Sequence, residues 1–382
     1  MGSDYLYIDD DAESATRPQA KAVADSSGGR LTIRVSQPLS FADQIVQLKT
    51  EPPEGLVLDL RLDEQAVSAD SGEPILVGYR APALAQELRS LAAEGLLASF
   101  PIALWSTDSK FRKSFNGDDT SQDLFDLTVD KDDIIEPKTC EKIALQLDAL
   151  VRGYHKISAL ADDQKDAQVL TLALGWSEQP DFLDQRLMHR FSSRERAVSV
   201  HEYARFILRE LIDQPGPLID RPTLLARLGC GRDSVGVDSL VDRLFPTARY
   251  QGVFGDGWPR WWSTVVEASW RTVFPGSGPL RRLKAEQRVE WLGTRLTSDE
   301  RIEVASPLHK NYSSRFWSLC QVTREPLAPE DGVLLAAPMQ SVWADRLRVS
   351  VHNAGPAKLR RHELQLDPLE HSRYESLCKR LC

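Results

Sequence analysis

The sequence predicts an α/β protein: a five-stranded doubly wound parallel sheet at the N-terminus, then a mainly helical region, then a small α+β region at the C-terminus. Three observations carry this prediction. Over the first 150 residues, short apolar runs alternate with stretches of helical spacing, the pattern of a parallel sheet with helices on both faces. One of those runs, Leu56, Val57 and Leu58, is continuously apolar, as a strand buried on both faces must be, and it delivers one carboxylate, Asp59, at its end. From Ser199 onward the alternation gives way to helical stretches.

In chain order, residues 5–8 form the first expected strand and end in three carboxylates, Asp9, Asp10 and Asp11. The residues around Pro18 read as a polar segment, and residues 31–35 as the second strand. Ser40 is a suitable N-cap for a helix carrying Phe41, Ile45 and Leu48 on one face. The third strand leads to Asp59, and a long loop containing Asp70, Gly72 and Pro74 precedes a helix over residues 83–97, with Leu84, Leu88 and Leu91 at helical spacing. Residues 101–105 give the fourth strand, ending at Ser106 and Thr107. A polar segment over 109–123 then precedes the fifth strand at 125–129, followed by Lys131 and a helix over 138–151. Residues 159–184 read as a helical connector. Three helical stretches follow, HEYARFILRELI, RPTLLARLG and VDSLVDRLF, and then an aromatic and glycine-rich segment over 250–262. Five of the nine tryptophans lie between 258 and 291, a density that fits a packed core better than a stacking surface. After a linker at 275–279 comes a charged helix and, from Ser306, short strands and loops. The expected domains are 1–153, 154–275 and 276–382.

At 382 residues the chain is long enough for two or three domains with cores of their own. No apolar run approaches the roughly 20 residues that span a bilayer, which speaks against a membrane partner. The N-terminus lacks a basic region followed by an apolar core, so a cytoplasmic protein is expected. Five scattered cysteines point to reduced thiols rather than a disulfide framework. The net charge of -9 is uneven: residues 1–150 hold 27 Asp and Glu against 14 Lys and Arg, a balance of -13, leaving +4 for the remainder. The acidic front half is unsuited to nucleic acid; the back half tolerates it.

In a parallel sheet the ends of strands one, three, four and five meet at one edge. Here they would bring together Asp9 and Asp10, Asp59, Ser106 or Thr107, and Lys131. Each has an ordinary structural role open to it: turn, helix cap or surface charge. Together they make one chemistry. Clustered carboxylates repel one another unless a divalent cation sits between them, and Mg²⁺ prefers such an oxygen site. Asp59 could then act as a nucleophile on phosphorus, giving an acyl phosphate, with Lys131 and Ser106 meeting the phosphoryl oxygens. No Gly-rich phosphate loop, Ser-His-Asp set or HExxH motif adds an independent catalytic centre.

On these residues, over about 4–152, the chain resembles the receiver domain of bacterial response regulators, a flavodoxin-like fold. The resemblance lies in IDD at 8–10, the acceptor aspartate in LVLDLRL, the hydroxyl residue in FPIALWS and the lysine in LTVDK. It implies that Asp9, Asp10, Asp59 and the backbone carbonyl of Arg61 hold Mg²⁺. It also implies that Asp59 receives phosphate from a histidine kinase or phosphorelay protein, and that Ser106 and Lys131 sense it. Several positions depart from the family pattern: Asp63 and Glu64 stand where a Pro is usual after the acceptor, Asp132 follows the lysine in place of Pro, and the loop after Asp59 is long. Thr128 occupies the position of the usual switch aromatic. An unusual output region of this kind fits a specialised bacterial pathway, such as a two-component-like anti-phage defence system that relays or buffers phosphate. A receiver fold kept as a non-phosphorylated scaffold is the alternative.

The helices over 199–245, with 250–262 as a wing, resemble a winged helix, which makes a DNA-binding transcriptional regulator the second alternative. VDSLVDRLF would be the recognition helix, but Asp238 and Asp242 beside Arg243 complement phosphates poorly, so DNA is not the favoured partner. The basic runs 281–288 and 360–362 read as solvated helix faces. Cys320, with Thr323 where a zinc knuckle needs a second Cys, and Cys378 and Cys382, with His309, His352, His362 and His371, give no strong zinc spacing. Self-association is left open.

Overall fold

Five parallel strands form the sheet: β1 (Ser3–Ile8), β2 (Leu31–Ser36), β3 (Gly55–Asp59), β4 (Ile102–Ser106) and β5 (Leu127–Asp130). They pair in the order β2-β1-β3-β4-β5 with every neighbour parallel, as seen in a computed structural model describing residues 2–63, 67–68, 74–75, 77–107, 121–163, 166–188, 191, 198–337 and 340–381. Alternation along the strands sends Leu6, Ile8, Leu56, Leu58, Ile102 and Leu104 to one face. Tyr5, Tyr7, Val57, Ala103, Trp105 and Val129 go to the other. Both faces are covered, which is why the strands read as almost continuous apolar runs. The Tyr5 ring lies against Gly55 of β3: a Cβ there would fall 2.3 Å from it, so only glycine fits.

Among the described residues four helices cover this sheet: α1 (Glu13–Ser26), α2 (Phe41–Thr50), α3 (Ala81–Ala93) and α4 (Pro137–Asp163). The expected cap at Ser40 forms, its hydroxyl accepting from the Asp43 N–H at 3.3 Å. Leu48 of α2 and Leu84 and Leu88 of α3 pack against the first face. Ala20 and Val23 of α1, with Ile143 and Leu147 of α4, pack against the second. The polar reading around Pro18 is corrected: a helix runs through it, burying the small residues Thr16, Ala20 and Val23, which give no strong apolar stripe in sequence. Phe125 precedes β5 rather than opening it and is buried in the first core. The segment around Asp70 and Gly72, Glu64, and most of the polar stretch 109–123 lie outside the described residues.

The chain divides into two units: residues 1–181, 185–208 and 251–258, and residues 182–184, 209–250 and 259–382. This differs from the expected boundaries at 153 and 275. Helix α4 passes through residue 153 without a break, and the segment 251–258 joins the first unit. There the Val253 N–H donates to the Ala173 carbonyl at 2.8 Å, and the Phe254 ring lies where a Cβ at Gly153 would be. In the segment expected as a wing, 250–262, the middle is a run of turns; Trp261 bridges Arg249 antiparallel, the Tyr250 N–H donates to the Arg260 carbonyl at 2.8 Å and the Trp262 N–H to the Ala248 carbonyl at 2.7 Å, and Trp261–Trp262 also pairs with Leu218–Ile219.

In the second unit, helices Arg221–Leu228, Val237–Leu244, Ser263–Val273 and Ala285–Gly293 enclose a core that includes Trp261, Trp270, Phe245 and Phe274. A second core, around Cys320, Leu327, Val333 and Val349, is framed by short strand pairs and by helices Pro356–Arg361 and His371–Leu381. The solvated reading of 281–288 fails at Arg288, which is wholly buried. Its Nη1 donates to the carbonyls of Ala226, Arg227 and Phe316 and so closes the end of the first of these helices. Among the described residues no helix is long and apolar enough to cross a membrane.

Candidate functional site

The strand order sets β1 and β3 side by side with the later strands beyond β3, so the direction of travel across the sheet reverses between them. In open α/β sheets that crevice, outside the carboxyl ends of the strands, is where ligands bind. β1 ends just before Asp9 and Asp10, and β3 ends on Asp59. All three carboxylates are buried, and one oxygen from each lies within 4.8 Å of the others. Lys131 follows β5 and closes the group: its ammonium is 2.7 Å from Asp9 Oδ2 and 2.5 Å from Asp59 Oδ1. Backbone donors complete it, the Asp11 N–H to Asp9 Oδ1 at 2.9 Å and the Arg61 N–H to Asp59 Oδ2 at 2.7 Å.

The electrostatics follow from burial. Desolvation pushes the Asp59 carboxyl up to about 6; Lys131 pulls the other way, and Asp9 adds to the rise. Desolvation also works against the Lys131 ammonium, but Asp59 and then Asp9 more than offset it, holding its pKa above that of an ordinary lysine. With all four groups ionised, three carboxylates against one ammonium leave a formal surplus of two negative charges. Asp59 Oδ1, though buried, takes no hydrogen bond among the described residues beyond its contact with Lys131. An all-oxygen donor set with this surplus fits Mg²⁺.

Ser106 stands at the end of β4, one residue past the partner of Asp59 in the register, and is buried. Its hydroxyl donates to the Thr107 carbonyl at 3.4 Å, so it lies at the same edge without bonding to the carboxylates. Thr107 is half-buried beside it. The Arg61 side chain turns to Asp63 at 3.1 Å, and Asp63 also meets Arg80 at 3.4 Å, which occupies the acidic residue that replaces the usual proline.

Sequence reasoning missed Tyr7. Its hydroxyl donates to Asp9 Oδ2, the same oxygen that Lys131 holds, and its ring lies 5.0 Å from that of Trp105. Burial, and then Asp9, raise the Tyr7 pKa, so it stays a donor. The available signal was the spacing: residues two apart on a strand share a face, and Tyr7 is two before Asp9.

Among the described residues no other group of three or more His, Cys, Asp or Glu side chains is placed to hold a metal ion. Cys320 instead exchanges hydrogen bonds with Ser350, whose N–H points at the sulfur at 3.4 Å. His309 and His352 stack face to face at 3.6 Å, with the Tyr312 hydroxyl 2.6 Å from His352 Nδ1. Cys382 lies outside the described residues. In the helix offered as a recognition helix, Asp238 pairs with Arg221 at 2.9 Å, Asp242 with Arg249 at 3.0 Å, and Arg243 with Glu300 at 2.7 Å.

Comparison with protein families gives no matching family, and comparison with curated proteins gives no match. Among solved structures, the chain is similar to NtrX from Brucella abortus, at 13% identity over 42% of this chain, with a TM-score of 0.30; the match spans only 29% of that structure. It is also similar to a sensor protein from Polaromonas sp. JS666, at 16% identity over 39% of this chain and 96% of that one, TM-score 0.27. A third is a putative response regulator from Chloroflexus aurantiacus, at 16% identity over 37% of this chain and 92% of that one, TM-score 0.24. Likenesses this weak add nothing to the topology and geometry above. The strand order, the reversal at β1 and β3, and the acidic edge closed by Lys131 make the N-terminal part of the chain a receiver-like domain on a flavodoxin-like sheet.

Proposed function

We propose that this domain accepts a phosphoryl group on Asp59, with Mg²⁺, from a histidine kinase or phosphorelay protein, and that the rest of the chain relays or buffers that signal. The observation that supports this best is the buried carboxylate of Asp59, set beside two further buried carboxylates and an ammonium at the switch point of the sheet. Asp9, Asp10, Asp59 and the Arg61 carbonyl would hold the cation, which would neutralise the entering phosphoryl group. An Asp59 oxygen attacks phosphorus, the phosphorus–nitrogen bond of the donor phosphohistidine breaks, and an acyl phosphate forms. The electron pair stays on the imidazole nitrogen, which takes up a proton. Lys131, now 2.5 Å from Asp59 Oδ1, exchanges that oxygen for one on the phosphoryl group, and the Ser106 hydroxyl turns from the Thr107 carbonyl to another.

The test is incubation with Mg²⁺ and acetyl phosphate, read by intact mass, with beryllofluoride as a stable mimic. Wild type should gain one phosphoryl group, lost in Asp59→Asn and in chelator. An unmodified wild type would leave the scaffold reading instead. A setting in phage defence rests on the unusual joining of modules alone. Plating efficiency on cells carrying the full system should rise in Asp59→Asn relative to wild type, and equal plating would remove that setting.

A further inference from the structure

The second unit carries a concavity of about 390 Å³ whose charged lining is dominated by arginine. Arg227, Arg260, Arg324, Arg346 and Arg348 face Asp213, Asp220 and Asp345, five positive groups against three negative. Three of the arginines have carboxylate partners: Arg227 pairs with Asp345, Arg324 with Asp220 at 3.3 Å, and Arg346 with Asp367 at 2.6 Å. Arg260 donates to the carbonyls of Ile212 and Pro259, and Arg348, among the described residues, reaches only the Pro329 carbonyl, at 3.5 Å. Two adjoining hollows share Trp317 and add Arg281, Arg282 and Arg315 against one further carboxylate, Glu330. Among the described residues Arg281, Arg282, Arg315 and Arg348 form no ion pair.

The grouping is built rather than scattered. Trp317 is buried, and the guanidinium carbons of Arg227 and Arg281 lie 4.6 and 5.1 Å from its ring, so one indole carries two like charges. Arg227 is 3% exposed. Burial lowers its pKa against the pull of Asp345, and burial, then repulsion from Arg373, with Arg281 and Arg346 adding to it against the pull of Glu370, lowers that of Arg348. Such crowding costs free energy that an oxyanion offsets, and guanidinium groups match phosphoryl oxygens two at a time. A second observation points to the body of a ligand. Gln340 donates to the Asp345 carbonyl at 2.6 Å, which fixes its amide, and its Oε1 is then buried with no hydrogen-bond partner among the described residues.

We propose that this groove binds a small phosphate-bearing molecule, with its phosphoryl group on Arg281 and Arg348 beside Trp317 and a donor on its body meeting Gln340 Oε1. The volume falls within the range of small-molecule sites and is too confined for a duplex.

The test is calorimetric titration of the full chain, in EDTA so that the aspartate site contributes nothing, with AMP, ATP and inorganic pyrophosphate as probes. At least one should bind saturably, with affinity falling about tenfold or more in Arg348→Gln and in Arg281→Gln. Arg281 is exposed, so its variant keeps the fold, checked by thermal unfolding. A nucleotide that binds more tightly than pyrophosphate, and loses that advantage in Gln340→Leu, identifies a nucleoside body; equal affinities identify the phosphoryl group alone. Absence of binding by all three probes at millimolar concentration overturns the proposal, as does unchanged affinity in both arginine variants. Binding of duplex DNA in their place overturns it as well.

Discussion

Asp9 Oδ2 is the most contested atom at the site, since both the Tyr7 hydroxyl and the Lys131 ammonium donate to it. Removing the hydroxyl leaves a buried carboxylate short of one charge-assisted bond, which costs about 2 kcal/mol. Tyr7→Phe should therefore lower the denaturation midpoint and weaken Mg²⁺ binding, because Asp9 loses the donor that orients it. Trp105, in contact with the Tyr7 ring, offers the fluorescence signal for the Mg²⁺ titration. An unchanged midpoint and Mg²⁺ affinity would mean that Lys131 and the Asp11 N–H orient Asp9 without the hydroxyl. The carboxylates and the lysine were legible in the sequence because each follows the end of a strand, where position along the chain sets position at the sheet edge. Tyr7 was not, because an aromatic inside a strand reads as core, and its hydroxyl shows a role only once Asp9 is found above it. Arg288 misled for the opposite reason: a charge within a basic run reads as solvated, whereas three carbonyls that need a donor hold it inside.

At the scale of elements, the far end of the sheet is tied as firmly as the acidic edge. Asp126, just before β5, accepts from the Ile102 N–H and from Arg89 of α3, each at 2.8 Å, and from the Tyr154 hydroxyl of α4 at 2.7 Å. Tyr154 in turn lies 2.9 Å from His201 Nδ1, so two helices, two strands and the 199–205 helix start share one carboxylate. Burial opposes the Asp126 charge most, but Arg89, His201 and the Ile102 N–H together outweigh it, and the carboxyl is held well below the usual range. The folded-state pKa is depressed, so this group's stabilisation is fully present above the unfolded value of about 4 and is lost as pH falls through the folded one. Asp126→Asn should cost roughly 3 kcal/mol at neutral pH and flatten the acid side of the stability profile below about pH 4. Urea unfolding at a series of pH values measures both, and parallel profiles for the two proteins would refute the assignment. This tie was invisible in sequence: Asp126, Arg89 and Tyr154 come from three elements, and only packing brings them together. Helix α1 was hidden by its small buried face, whereas α2 and α3 announced themselves through leucines at helical spacing.

For the whole molecule, the sequence located the sheet, and the chain divides into two units at positions other than the expected 153 and 275. Helix α4 runs unbroken through residue 153 and the first unit continues to residue 181, while residues 251–258 return to it from far along the chain, and composition marks neither. The residues between the two arms of the expected wing, 251–258, pack beside α4, while the arms themselves pair at Arg249 and Trp261. The tryptophan cluster fared better: Trp261, Trp262 and Trp270 are buried, as their density implied.

Strand β5 is therefore moored at both ends, by moorings of opposite kind. At Lys131 one cation is shared among carboxylates and can change partners; at Asp126 one carboxylate is shared among donors and cannot easily do so. Thr128, within β5 itself, carries no ring to flip. A change of partner at Lys131 would then swing β5 and the start of α4 about Asp126 as a pivot, a lever rather than a rotamer switch. Hydrogen exchange on the beryllofluoride adduct should change around residues 130–137 and leave the Ile102 amide protected. Exchange altered equally at both ends would show that the far mooring slips.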